Sequence, residues 1–143
     1  MVHAIRVVHG LCLAFVLACG AGSAQAQAVT DQDRLAAQCI GIEEENIANS
    51  QGDARSASQA RLAAMQRYLT GRGYGPGGAL AHAMATIESA RQSGRSDGRD
   101  CLREQRTCAR VCGGNAVCVT NCIGSASACA PVVRCAEPGI VPP

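Results

Sequence analysis

The sequence predicts an all-α fold: three N-terminal helices followed by a C-terminal αα-hairpin laddered by disulfides. Three observations carry that prediction. Six cysteines at 101, 108, 112, 118, 122 and 129 stand 7, 4, 6, 4 and 7 residues apart, a mirror-symmetric series centred on Asn115. Upstream of them, apolar residues recur at helical spacing in three separate stretches. No strand pattern follows residue 26.

The chain opens with the marks of a secretory signal. Arg6 supplies a positive start, Leu11 to Ala18 an apolar stretch, and Ala24-Gln25-Ala26 a small-residue cleavage site. The apolar stretch is shorter than the roughly 20 residues that span a bilayer. Cleavage is expected after Ala26, with the point after Ala28 as the near alternative. Residues 1–26 are then the signal and 27–143 a single helical cysteine-rich domain. A competing reading takes Val16-Leu17-Ala18-Cys19 as a bacterial lipobox, with Cys19 acylated and the protein held on the outer membrane.

Thr30-Asp31-Gln32-Asp33 reads as a capping box opening a helix over about 31–50, with Leu35, Cys39 and Ile42 on its apolar face. Glu43-Glu44-Glu45 is expected on its solvated side. A second helix is expected over 55–69, with Leu62, Met65 and Leu69 along one face and Gly71 as its stop. The run 71–78, GRGYGPGG, reads as a flexible linker. It contains a G-x-G-x-x-G string, but no strand precedes it, so the nucleotide-binding reading lacks its context. A third helix is expected over 79–92 on the Leu80, Met84, Ile87 stripe, with His82 off that stripe and solvated. The turn-rich run 93–100 reads as a linker, and 131–143 as an irregular tail.

The stapled hairpin is expected over 99–130. Steps of 7 and 4 return a side chain to nearly the same helix face, so each half lines up its three cysteines, and Gly113-Gly114-Asn115 turns the chain between them. Folding the halves together pairs Cys101 with Cys129, Cys108 with Cys122 and Cys112 with Cys118. By elimination Cys39 pairs with Cys135. Asn115 is expected to cap the second helix. Leu102, Ala109, Val119, Ile123 and Ala126 share one side of the hairpin, expected to pack on the N-terminal helices. Arg103, Arg106 and Arg110 lie opposite the cysteine stripe, where they would face water, an acidic partner or phospholipid headgroups.

The units Cys108-Ala-Arg-Val-Cys112 and Cys118-Val-Thr-Asn-Cys122 resemble the paired motif of twin C-x3-C helical-hairpin proteins, such as the small mitochondrial intermembrane-space chaperones. Five residues separate the units here, fewer than in those chaperones. The resemblance implies a stapled hairpin and brings no chaperone activity with it.

Composition narrows the function classes. The whole chain carries a formal charge of +2, has no lysine, and after export keeps only Tyr68 and Tyr74 as aromatics. Nucleic-acid binding, which needs a concentrated basic surface with stacking aromatics, is therefore not expected. Much of the apolar content is alanine, which buries little area, so disulfides are expected to supply stability that the core does not. The sequence holds no H-E-x-x-H and no second ligand near His82, no strand leads into a nucleophile elbow, and no enzyme and no cofactor are expected. The leading expectation is an exported, non-catalytic structural or interaction module in the periplasm or secreted. Its partner is expected to be another protein, with a membrane involved only if Cys19 is lipidated. The alternatives are a copper or zinc thiolate site on Cys108, Cys112, Cys118 and Cys122, and a thiol–disulfide redox protein, although no C-x-x-C is present.

Overall fold

The computed structural model describes residues 28–140, so the signal reading of residues 1–26, including Cys19 and the Ala26 cleavage point, lies outside the described residues, as does the end of the tail. Among the described residues the fold is all-α. The helices are α1 (Asp31–Asn49), α2 (Gly52–Gly71), α3 (Met84–Val111), α4 (Ala116–Ser125) and α5 (Ala130–Ala136), with single 3-10 turns at Ala81–Ala83 and Ser127–Cys129. None is long and apolar enough by itself to cross a membrane.

The start of α1 is the capping box read from the sequence. Thr30 Oγ1 accepts from the Asp33 amide at 3.1 Å, and Asp33 returns a carboxylate oxygen to the Thr30 amide at 2.9 Å. Helix α2 returns antiparallel, bringing Arg72 beside Asp33 and Arg61 beside Glu43. Helix α3 runs parallel to α1, as the pairs Gln38–Asp97 and Glu45–Arg99 show. Ala36, Ala37, Ile40 and Ile42 of α1, Met65 and Leu69 of α2, and Leu80 and Ile87 enclose the core, closed by Cys39–Cys135.

Four expectations are corrected. The run 93–100 is no linker: α3 passes through it without a break. Its glycines are contact points, because a Cβ on Gly94 would lie under 3.0 Å from the Gln38 backbone, and one on Gly41 of α1 under 3.0 Å from the Arg91 backbone. Only bare backbone lets α1 and α3 approach so closely. The run GRGYGPGG is more than a linker, because part of it packs: Tyr74 is buried, its amide donates to Leu69 at 3.1 Å and the Leu80 amide to Gly73 at 3.0 Å, with Gly73 in the left-handed region at φ +93°. The segment 131–143 is not irregular throughout, since α5 occupies Ala130–Ala136. Pro131 sits in its first turn, where a missing N–H costs nothing.

The hairpin is the fourth. Its apolar side does not pack on the N-terminal helices as expected: Ala109 is exposed, Leu102, Val119, Ile123 and Ala126 are only half-buried, and α4 has no buried residue. The reason is the unbroken α3. Since α1 stops at Asn49, which lies beside Leu102, Arg103 and Arg106, the last turns of α3 run on past it and carry α4 beyond the bundle.

Candidate functional site

The cysteine framework joins Cys39–Cys135, Cys101–Cys129, Cys108–Cys122 and Cys112–Cys118, with Cα separations of 5.4, 4.6, 5.8 and 5.6 Å. These are the pairs selected by the mirror spacing and by elimination, and the separations suit a disulfide. Cys101 and Cys108 line one stripe of α3, and Cys112 caps its C-terminal end. Cys118 and Cys122 lie on α4, and Cys129 closes the base from the 3-10 turn after it. The turn is set by Gly113 and Gly114, at φ +56° and +84°, and by Asn115, whose Oδ1 accepts from the Cys118 amide at 3.0 Å. No group of three or more metal-ligating side chains occurs among the described residues, and the four sulfurs of the candidate thiolate set are all held in bonds to carbon and sulfur.

The structure brings together a second set of groups that the sequence reading missed. Asp33, fully buried, accepts from five donors: Tyr68 Oη at 3.0 Å, Tyr74 Oη at 2.9 Å, Arg72 Nε at 3.1 Å, Arg72 Nη2 at 3.3 Å and the Thr30 amide. Burial on its own would push this carboxyl up, but Arg72, Thr30 and Tyr74 outweigh it and hold the group well below the usual carboxylate range. In return, burial and the bond to Asp33 push the Tyr74 hydroxyl up to about 12. A carboxylate so enclosed keeps its charge near neutrality and ties the start of α1 to α2 and the loop after it.

The acidic triplet is likewise not a solvated face. Glu43 is buried and holds Arg61 through Nε at 2.6 Å and Nη2 at 3.0 Å. Glu44 accepts from Arg91 and from Arg95 Nε at 2.7 Å, and Glu45 from Arg99 at 3.0 Å. Burial opposes the Glu44 charge, yet the two guanidiniums pull its carboxyl down. The signal for this was present in the sequence. Ala90-Arg91, Gly94-Arg95 and Gly98-Arg99 repeat a small residue and an arginine every four positions, which lays a flat stripe beside a row of cations on one helix face.

The remaining candidates do not assemble into a site. His82 is exposed in the 3-10 turn before α3. Arg103 reaches Asp100 at 3.0 Å and Arg110 reaches Thr107 at 3.4 Å, both on the surface, and Arg106 is exposed. Every buried side-chain polar atom among the described residues has a partner. What stands apart is the hairpin end, where Val111 and Val117 are 77% and 72% exposed beside the Cys112–Cys118 bond. No protein-family model matches the chain, and no curated protein or solved structure shows significant similarity to it.

Proposed function

We propose that the protein is an exported, non-catalytic structural or interaction module that presents its disulfide-laddered hairpin to another protein. One observation carries the reading. Two of the four disulfides, Cys108–Cys122 and Cys112–Cys118, secure α4, an arm that contributes no buried residue to the core. Covalent bonds that do not serve the core serve the shape of the arm, and a fixed shape lowers the entropy lost on docking.

Four disulfides are compatible with an oxidising environment outside the cytoplasm. Export through the N-terminal signal, to the periplasm or beyond, is part of the proposal. The intact mass of the exported protein tests it: a start at Gln27 supports the soluble form, and an acylated Cys19 replaces it with the lipoprotein alternative. The copper or zinc reading is not favoured, because its four ligands would first have to be reduced.

A photo-reactive residue placed at Val117 in the native host tests the interaction, with the same residue at exposed Gln59 of α2 as reference. The expected result is a discrete cross-linked protein from position 117 alone. Equal labelling from both positions, or none from 117, would remove the hairpin from the function.

A further inference from the structure

The four disulfides differ in how readily a thiolate from solution can reach them. Cys39, Cys101, Cys129 and Cys135 are all buried, and Cys108 is buried opposite a half-buried Cys122. Only the bond at the hairpin end has an exposed member, Cys118, with Cys112 half-buried. Thiol–disulfide exchange is a displacement at sulfur and proceeds at a rate set by access to it. The buried bonds become attackable only after local opening, which for Cys39–Cys135 and Cys101–Cys129 means loosening the bundle itself.

Opening the outer bond disturbs little. No residue between Cys108 and Cys129 is buried, so no core is uncovered. The turn keeps two contacts of its own, Asn115 N–H to the Cys112 carbonyl at 3.0 Å and the Asn115 cap on Cys118. Cys108–Cys122, one turn further in, continues to hold α4 to α3. No charged residue occurs in the chain between Arg110 and Arg134, and the exposed Val111 and Val117 offer an apolar rim at the bond.

We propose that Cys112–Cys118 is a redox-exchange site, reversibly reduced by an external dithiol at the solvent end of the ladder while the three inner disulfides stay closed. The donor's thiolate attacks Cys118 Sγ, forming a mixed disulfide. The Cys112–Cys118 bond breaks, and its electron pair leaves on Cys112 Sγ, which takes a proton from water. The donor's second thiolate then attacks the donor sulfur of the mixed disulfide and expels Cys118 as a thiolate, which is protonated in turn. The hairpin gains two electrons and two protons, and the donor departs as its own disulfide. An oxidised donor runs the sequence backwards. The inference does not depend on which protein the hairpin meets.

The test uses the folded, oxidised protein with dithiothreitol as the dithiol, at graded concentrations. Samples are quenched, alkylated and mapped by peptide mass. Cys112 and Cys118 are expected to be labelled together, at least about tenfold faster than any other cysteine. The far-ultraviolet dichroism should be unchanged at that stage, and oxidised dithiothreitol should restore the same pair. Labelling of all pairs at one rate, or of another pair first, overturns the proposal. A C112S/C118S variant supplies the second reading. Its six remaining cysteines should still be labelled more slowly than Cys112 and Cys118 are in the parent. If they are labelled as fast as that pair, the outer bond is a structural lock and the exchange site is disproved.

Discussion

Asp33 shows how one residue can serve the end of a helix and the centre of a fold together. Its carboxylate caps α1 and also accepts from two tyrosines and an arginine brought in by α2 and the following loop. Asp33→Ala removes the capping partner and leaves the buried Tyr74 hydroxyl without its acceptor. The expected loss is about 2–4 kcal/mol, read by denaturant unfolding. The pH dependence has a defined sign. Because the folded Asp33 carboxyl lies below its ordinary value of 3.8, the unfolded chain binds protons first. The contribution is complete above that value and fades as pH falls below it, and Glu44 acts in the same direction. Tyr74 acts at the other end: its raised value means stability is retained up to about pH 10 and lost as pH rises towards about 12. In Asp33→Asn the acid arm of the stability profile should flatten. The capping role of Asp33 is legible in the sequence, since it depends on residues three apart. The partners Tyr68, Arg72 and Tyr74 are not, because only the antiparallel return of α2 sets them opposite.

Among the elements, α3 departs furthest from its sequence reading, and for a definite reason. Glycine usually marks a turn, and SGRSDGRD holds two within eight residues. Here Gly94 faces α1 at backbone contact and Gly98 lies against the Glu45 side chain, and what α3 loses in helix propensity is offset by Arg91, Arg95 and Arg99 bridging to Glu44 and Glu45. Propensity is local and this compensation is tertiary, so the linker reading fails where the four-residue repeat would have corrected it. Gly94→Ala should therefore destabilise by about 1–3 kcal/mol or more through overpacking. Gly124→Ala in α4, where an added Cβ meets nothing, should instead stabilise by about 0.5–1 kcal/mol. Thermal unfolding of the two variants separates these signs. The hairpin was far more legible, because cysteine pairing is written in the spacing itself and not in the surroundings. Cys108→Ser should leave Cys122 as the single alkylatable thiol, and labelling of any other cysteine would contradict the ladder.

At the scale of the whole molecule, the disulfides close loops of very different length. Cys39–Cys135 spans 96 residues and Cys112–Cys118 only 6. On the chain-entropy account, removing the first costs about 5 kcal/mol and the second about 2. Paired serine variants should rank in that order in their denaturant midpoints, with Cys39→Ser/Cys135→Ser the less stable. What the sequence conceals at this scale is where the hairpin sits. Its apolar residues suggest a docked face, but the end of α1 at Asn49 leaves α3 to run on alone, and no feature of the hairpin's own sequence records that.

The tie between Cys39 and Cys135 makes the chain from one to the other a covalent ring, with the other three disulfides as chords inside it. A protease that cuts once anywhere along that ring, even at the exposed Pro76 and Gly77 of the α2–α3 loop, opens it without releasing a fragment. The two pieces stay joined through sulfur and packed on each other, and only a reductant able to reach the buried Cys39–Cys135 bond would part them. Outside the cytoplasm, where proteases are plentiful and such reductants scarce, a single cut need not end the working life of the molecule.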